Sequence, residues 1–276
     1  MKIRYILLCW GIIGLLFAGC GKTPYHFPVV IPFANEWVLR TDIPRPDAER
    51  IVKQFSEILP LYHEILPLDS KMKRHFTISI FNNIDDYLSY QKKVSLTRSR
   101  SGFYSFDRGE TALVYNGVKN TVRTLYHEGF HAYVQERLIH PPQWLNEGLA
   151  EYAESLRDGF LFKLTTGGTE YRWVGTLMQL QKNNAIPSLK TIVDNDWPDK
   201  HNLTNAEYAL SWSIVQFFKK SGDETRELEF ENYLTLLYNK KEPKKAFYTV
   251  FKDPDQLDKE WRGFIKKLPV KKLLGF

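Results

Sequence analysis

Two histidines lie four residues apart in the segment TLYHEGFHAYVQ, and a glutamate directly follows the first of them. In a helix over about residues 121–138, His127 and His131 fall on one face, where both imidazoles can bind one metal ion at about 2.0–2.1 Å. Glu128 projects near that face and can deprotonate a metal-bound water. This spacing is the HExxH motif and predicts a hydrolytic zinc site. The alternative is a metal-free helix whose polar face carries two histidines.

A hydrolytic zinc site needs a third protein ligand and an open fourth position. Arg137 and Val134 occupy the positions where metzincins have a third histidine and a glycine, so that pattern is excluded. The remaining candidates are His140, Glu147 and Glu151. The two glutamates lie four residues apart in PPQWLNEGLAEYAE, so they share one face of a predicted second helix. The loop between the two helices is short, which predicts that they are antiparallel neighbours.

The segments HEGFH and WLNEGLAEY together resemble the gluzincin metallopeptidases, including the aminopeptidase-N type. The resemblance is closest to the peptidase-MA-like domains of bacterial exported proteins, and it spans about residues 100–220. In this family pattern the glutamate of NEG is the third zinc ligand, which corresponds to Glu147. A tyrosine that begins a later helix supports the oxyanion of the transition state, which corresponds to Tyr208. His201 is an alternative for this role or else a surface histidine. The resemblance therefore implies one Zn²⁺ per chain.

The resemblance implies hydrolysis of a peptide or protein substrate, with Glu128 as the general base. No GxMEN segment, which grips a free amino terminus in aminopeptidases, precedes HExxH. An endopeptidase is therefore expected. Glu151 is expected to orient a ligand histidine through its second ring nitrogen, or else to be a solvated helix charge. Two other functions stay open: a non-catalytic binding module with a zincin fold, and a zinc hydrolase acting on peptidoglycan peptides.

The elements around the motif predict an α+β, zincin-like fold. A small mixed sheet is expected to pack on the HExxH helix, followed by a mainly helical C-terminal lobe. The strand at residues 111–115 either pairs with extended substrate, as an edge strand does, or is a purely structural strand. The predicted catalytic domain covers residues 47–276, divided into lobes at 47–159 and 160–276.

The pattern at the N-terminus is typical of an export signal. Lys2 and Arg4 precede a short apolar run that ends in LLFAGC, which resembles the lipobox of bacterial lipoproteins. The resemblance implies a signal peptide over residues 1–19, acylation of Cys20, and a periplasmic location, with the outer membrane favoured over the inner. An uncleaved anchor or an ordinary signal peptide is the alternative. The proline-rich segment 20–46 is expected to be an extended tether.

Cysteine content and charge limit the possible metal ligands and binding partners. The two cysteines are Cys9 in the signal and Cys20, so the mature chain has no disulfide and metal ligands must be His, Asp or Glu. The net charge of +6 is concentrated in residues 238–276, which contain 11 Lys or Arg against 5 Asp or Glu. This excess fits either contact with anionic lipid or a solvated helical face. No nucleic-acid motif accompanies it, so no nucleic-acid partner is expected.

Overall fold

The computed structural model of the protein describes residues 25–68, 75–155, 157–159, 163–165, 171–199 and 202–268. The strands in these ranges are β1 Val29–Phe33, β2 Trp37–Thr41, β3 Phe76–Phe81, β4 Gly102–Ser105, β5 Glu110–Val114, β6 Arg157–Gly159 and β7 Lys163–Thr165. The helices are α1 Arg45–Ile65, α2 Ile84–Val94, α3 Gly117–Gln135, α4 Gln143–Glu154, α5 Tyr171–Lys182, α6 Leu189–Asn195, α7 Asn205–Lys220, α8 Glu224–Tyr238, α9 Pro243–Val250 and α10 Pro254–Lys267. This content confirms the α+β class with a small mixed sheet.

The main sheet has five strands in the order β1–β2–β3–β5–β4. The three inner strands run parallel to one another, while β1 and β4 pair antiparallel at the two edges. β3 is buried along nearly its whole length, as expected for a central strand covered on both faces. α3 packs against β4 and β5, so the sheet lies directly on the helix that carries HExxH.

The prediction of a tether over residues 20–46 is wrong for residues 29–41, which form β1 and β2. Burial alternates along both strands, which is the period-two pattern of a sheet. Pro32 is tolerated because β1 is an edge strand, where a missing N–H group can face away from the ladder. Trp37 in β2 stacks on Phe76 in β3 with ring centroids 4.9 Å apart. Cys20, the predicted signal peptide and His201 lie outside the described residues.

Of the two interpretations of residues 111–115, the structural strand is confirmed and the edge strand that pairs with substrate is wrong. β5 is hydrogen-bonded to β3 on one side and to β4 on the other. The free edge on this side of the sheet belongs to β4, which ends the strand order. Gly102, Phe103 and Tyr104 of β4 line a cavity at the HExxH helix. The strand available for pairing with a ligand is therefore β4, which precedes the turn, and not β5, which follows it.

One hydrophobic core runs from the sheet into the C-terminal helices. It extends from Trp37 in β2 to Leu268 after α10. α4 packs against α3 on one side and against α7 on the other. The C-terminal helices therefore share the core of the sheet and help to place the helices of the HExxH region. Within the described ranges, no helix combines the length and apolar character needed to span a bilayer.

Candidate metal centre

α3 brings His127 and His131 side by side. Four residues make slightly more than one helical turn, so the two rings share a face. Their Nε2 atoms lie 3.2 Å apart, and their ring centroids lie 4.9 Å apart. The hydroxyl of Tyr62 on α1 donates to the carbonyl of Tyr126 at 2.8 Å. This bond ties the turn that carries the histidines to the neighbouring helix.

α4 presents Glu147 to the two imidazoles. Glu147 Oε2 lies 3.3 Å from Nε2 of His127 and 3.6 Å from Nε2 of His131. The other oxygen, Oε1, accepts a hydrogen bond from Nε2 of Gln143 at 2.8 Å. Gln143 therefore fixes the rotation of the carboxylate so that Oε2 faces the histidines.

These three atoms fit the ligand set of a zinc ion. With bonds of about 2.0–2.1 Å, tetrahedral ligands lie about 3.3–3.4 Å apart, and the observed separations are 3.2, 3.3 and 3.6 Å. Oε2 of Glu147 is buried without a hydrogen-bond partner among the described residues. Such an oxygen is costly to bury unless a cation binds it. Two imidazoles and one carboxylate also form a known donor set of catalytic zinc sites.

Of the three candidates for a third ligand, Glu147 is the one that faces both histidines. Glu151 approaches His127 alone and forms a different cluster. His140 lies in the loop between α3 and α4, with a backbone φ of +52°, and its ring stacks on Phe106 at a centroid distance of 6.3 Å. His140 therefore belongs to the rim of the cavity rather than to the histidine pair.

Two carboxylates of α4 face the other ring nitrogen of His127. Oε1 of Glu151 lies 3.5 Å from Nδ1, and Oε2 of Glu154 lies 3.4 Å from it. Arg172 on α5 contacts both carboxylates, at 2.9 Å and 3.3 Å, while Arg123 contacts Glu154 at 2.8 Å. Carboxylates in this position orient a ligand imidazole and fix its tautomer. Glu154 was not predicted, although its position one turn after Glu151 on the same helix face could have indicated it.

Glycines beside the ligands permit close packing of the helices. A Cβ atom at Gly129 would lie 2.7 Å from ring atoms of Phe55 on α1. A Cβ atom at Gly148 would lie 2.8 Å from Cγ2 of Val215 on α7 and still closer to the carbonyl oxygen of Ser211. Such distances are too short for real side chains. The G of HEGFH and the G of NEG are therefore needed where α3 and α4 meet their neighbours.

Burial and neighbouring charges shift the pKa values of Glu147 and Glu128 in opposite directions. Burial would raise the pKa of Glu147, but the adjacent imidazoles of His131 and His127 hold it well below its ordinary value. Burial also raises the pKa of Glu128, and the charges of the two histidines only partly offset this effect. Glu147 is therefore suited to bind as a charged ligand, while Glu128 is a stronger base than an exposed glutamate.

A cavity of about 710 Å³ opens over the site. Glu128, His131 and Tyr208 line it, together with the edge strand β4. The ring of Tyr208 on α7 lies 6.3 Å from the ring of His127, measured between centroids. Burial raises the pKa of Tyr208, and nearby glutamates raise it further. Its hydroxyl group therefore stays protonated and can donate a hydrogen bond into the cavity.

Besides Glu154, three residues that support the site were not predicted from the sequence. Gln143 orients Glu147 and lies one turn before it, which is a weak local signal. Asp196 accepts from the first two backbone N–H groups of α4, at 2.8 and 3.1 Å. Trp173 donates its indole N–H to Glu151 at 2.6 Å. Asp196 and Trp173 come from later segments and belong to no motif, so only the fold places them.

The site belongs to an α+β protein in which two histidines and one glutamate converge beside an open cavity. Residues 121–241 match a family described as "Protein of unknown function (DUF1570)". The match begins in the first turns of α3 and ends just after α8, so it includes the histidine pair, Glu147 and Tyr208. It covers less than half of the 276 residues. The chain is thus similar to this family across the candidate metal centre. No curated protein matches the chain.

Proposed function

We propose that the protein is a zinc-dependent peptide hydrolase, a metalloendopeptidase of the gluzincin type with a zincin-like fold. The observation that carries this proposal is the convergence of His127, His131 and Glu147 on one point, with Glu128 in the cavity beside them. A module that only bound a partner would not need a general base next to the ligands. The geometry therefore supports a catalyst better than a binding module.

The ligand residues and the base have separate tasks. His127, His131 and Glu147 would hold zinc, which supplies Lewis acidity and lowers the pKa of a bound water toward about 7. Glu128 accepts a proton from the attacking water and returns it to the leaving amine. Its pKa, raised by burial, suits a group that must both take up and release a proton. The carboxylates behind His127 hold its Nδ1 proton, so that Nε2 remains available as a ligand atom.

Tyr208 supplies the hydrogen bond that stabilises the transition state. Tyr208 lines the cavity near His127, where its protonated hydroxyl would donate to the oxyanion that forms from the scissile carbonyl. One such donor contributes about 3 kcal/mol when the bond strengthens in the transition state. Tyr208 therefore acts on turnover more than on binding.

The space around the site fits an extended peptide. A second cavity of about 420 Å³ shares His127, Glu128 and Tyr208 with the first, so there is room on both sides of the base. The edge of β4 borders the larger cavity, and an edge strand can pair with a strand-like substrate. A chain that passes through both cavities would be cut internally, which supports an endopeptidase.

The proposal places the enzyme in the bacterial cell envelope as a lipoprotein acylated at Cys20. Because a single acyl chain anchors only weakly, stable attachment requires the two or three chains of a mature lipoprotein. Cys20→Ser should release the protein into the soluble fraction or leave an uncleaved precursor. Wild-type fractionation and migration of this variant would contradict the anchor.

The decisive experiment compares wild type with Glu128→Gln, which keeps size and polarity but removes the base. Zinc content by elemental analysis should be unchanged, while cleavage of a mixed peptide library should fall by about 10²–10⁴-fold. Tyr208→Phe should lower turnover by about 10²–10³-fold with KM nearly unchanged. Glu57→Gln, at an exposed position on α1, is the matched control and should behave as wild type.

The outcomes separate the competing functions. Equal cleavage by wild type and Glu128→Gln would contradict the role of the base. Zinc binding without any cleavage would identify a binding module. If only peptidoglycan peptides, assayed in parallel, are cut, the substrate is the cell wall rather than protein.

A further inference from the structure

Trp173 on α5 contacts two groups of the proposed active site at once. Its indole N–H donates to Oε2 of Glu151 at 2.6 Å. Its ring stacks on the ring of Tyr208, with centroids 6.0 Å apart and planes inclined by 13°. The side chain is only 5% exposed, so both contacts are made in a dry, tightly packed environment. One residue therefore connects the acid behind the metal ligands with the tyrosine in the cavity.

The hydrogen bond controls which way the Glu151 carboxylate points. Oε1 of Glu151 faces Nδ1 of His127 at 3.5 Å, while Oε2 is shared between Trp173 and the half-exposed Arg172. The Arg172 side chain is 45% exposed, and ion pairs to exposed side chains contribute little. The buried indole has a single donor in a fixed direction, so it holds Oε2 and leaves Oε1 directed at His127.

The stacking contact holds the ring of Tyr208. The tyrosine lies near the start of α7 and lines both cavities, so its position depends on the elements packed against it. α5 packs against α7, and Trp173 provides the aromatic surface at that contact. Aromatic pairs with centroids within about 4.5–7 Å attract one another beyond simple burial.

We propose that Trp173 is a positioning residue that serves both halves of the site: it orients His127 through Glu151 and holds Tyr208 by stacking. This inference rests on the proposed function for the role of Tyr208, but its metal-binding part does not depend on catalysis. Trp173 also lines the second cavity, so a direct contact with substrate would change KM. Effects that pass through Glu151 and Tyr208 change zinc affinity and kcat instead.

The test begins with Trp173→Phe, which keeps an aromatic ring and removes the N–H donor. The zinc dissociation constant, measured by competition with a chelating dye, should rise by about 10–100-fold, the usual effect of removing a group that orients a metal ligand. The visible spectrum of the cobalt-substituted protein should also shift, because the ligand field at His127 changes. Trp261→Phe is the matched control, since Trp261 is buried and donates its N–H to Ser213 on α7 at 3.1 Å.

The control separates positioning from general stability. Trp261→Phe should lower the melting temperature comparably while leaving zinc affinity and the cobalt spectrum unchanged. Equal zinc affinity in wild type and Trp173→Phe, or equal loss in both tryptophan variants, would overturn the proposal. A wild type that binds no zinc would overturn it as well.

A double-mutant cycle with Glu151→Gln tests the route of the effect. If Trp173 acts through Glu151, the losses of zinc affinity in the two single variants should not add in the double variant. Additive losses would contradict this route. Should Trp173→Phe fail to fold, Glu151→Gln alone still decides, because unchanged zinc affinity in that variant would remove the link between Trp173 and His127.

The stacking contact is tested with Trp173→Leu. Loss of the ring should reduce kcat below that of Trp173→Phe, with KM unchanged, and this extra loss should vanish in a Tyr208→Phe background. An extra loss that persists without the tyrosine hydroxyl would contradict the stacking role. If wild type binds zinc but cleaves nothing, the proposed function fails, whereas the zinc measurements still decide the positioning of His127.

Discussion

Glu110 and Glu147 are both buried glutamates, but the fold treats their charges differently. Glu110 in β5 is 3% exposed and Glu147 in α4 is 6% exposed. Both oxygens of Glu110 accept hydrogen bonds from charged or hydroxyl donors, namely Arg40 at 2.8 Å, Ser79 at 2.5 Å, Tyr90 at 2.5 Å and Arg108 at 3.2 Å. Its charge is thus balanced by residues of the fold itself.

Only one of the two oxygens of Glu147 accepts a hydrogen bond within the described ranges. Oε1 accepts from Gln143, while Oε2 faces two imidazole nitrogens and lacks an aligned donor among the described residues. A buried carboxylate that is fully satisfied stabilises one structure, whereas one with an open oxygen among histidines is suited to bind a cation. The difference assigns Glu110 to the architecture and Glu147 to the proposed chemistry.

The largest expected effect is the loss of metal in Glu147→Ala. Wild type should contain about one zinc per chain after purification without added metal, and the variant should contain almost none. His127→Ala should give the same result. EDTA should lower the melting temperature of wild type, since zinc stabilises the folded state by mass action, and should leave Glu147→Ala unchanged. If Glu147→Ala retains zinc, Glu147 is not a zinc ligand, and the proposed difference between Glu147 and Glu110 is wrong.

Glu110→Ala should show the reverse pattern. Removing one partner of a buried ion pair leaves Arg40 and two hydroxyl groups without their acceptor, which costs about 3–5 kcal/mol in the free energy of unfolding. Urea denaturation measures this loss, and zinc content should remain that of wild type. Glu49→Ala is the control, because Glu49 pairs with Arg45 on the surface and such pairs contribute little. Loss of zinc in Glu110→Ala would show that the two glutamates are not independent.

Gly148→Ala tests whether the packing of α4 places Glu147. The added methyl group would meet Ser211 and Val215 on α7, so we expect a loss of about 1–3 kcal/mol in the free energy of unfolding together with weaker zinc binding. Gly263→Ala on α10 is the control, because a Cβ atom there meets nothing within 4 Å. It should stabilise the protein by about 0.5–1 kcal/mol. Wild-type zinc affinity in Gly148→Ala would show that this contact does not position the ligand.

The sequence predicts the local parts of the fold and site well. HExxH and NEG each lie within one helix, so the spacing of His127, His131 and Glu147 already places them on helix faces. The structure brings these three side chains together. The hairpin before α3 and the helix that begins near Tyr208 are also local patterns, the latter marked by a capping box of Thr204 and Glu207.

The parts that sequence reasoning missed depend on contacts between distant segments. The five prolines of residues 20–46 predict a tether, whereas β1 and β2 form there because β2 pairs with β3 across a 21-residue helix. The edge position of β4 follows from the strand order, which no local pattern contains. Asp196 and Trp173 reach α4 from segments that lie later in the chain. In each case the physical cause is tertiary packing rather than local periodicity.

The smallest expected effect is a change in how stability depends on pH. Burial would raise the pKa of Glu110, but Arg40, with hydroxyl donors including Ser79, holds it below its ordinary value. A lowered folded-state pKa adds stability at pH values above the unfolded value of about 4.3, and this contribution is lost as the pH falls through the folded value. Glu110→Gln cannot titrate, so its deficit relative to wild type should be greatest near pH 7.

Urea denaturation at several pH values between 7 and 3 measures this deficit, with Glu49→Gln as the exposed control. The deficit of Glu110→Gln should shrink steadily below about pH 4.3, whereas a deficit that is constant with pH would show that the charge of Glu110 does not stabilise the fold. Repeating the series with EDTA sharpens the comparison. Because Glu110 contacts none of the proposed zinc ligands, chelation should lower stability in wild type and variant alike and leave the pH dependence of their difference unchanged.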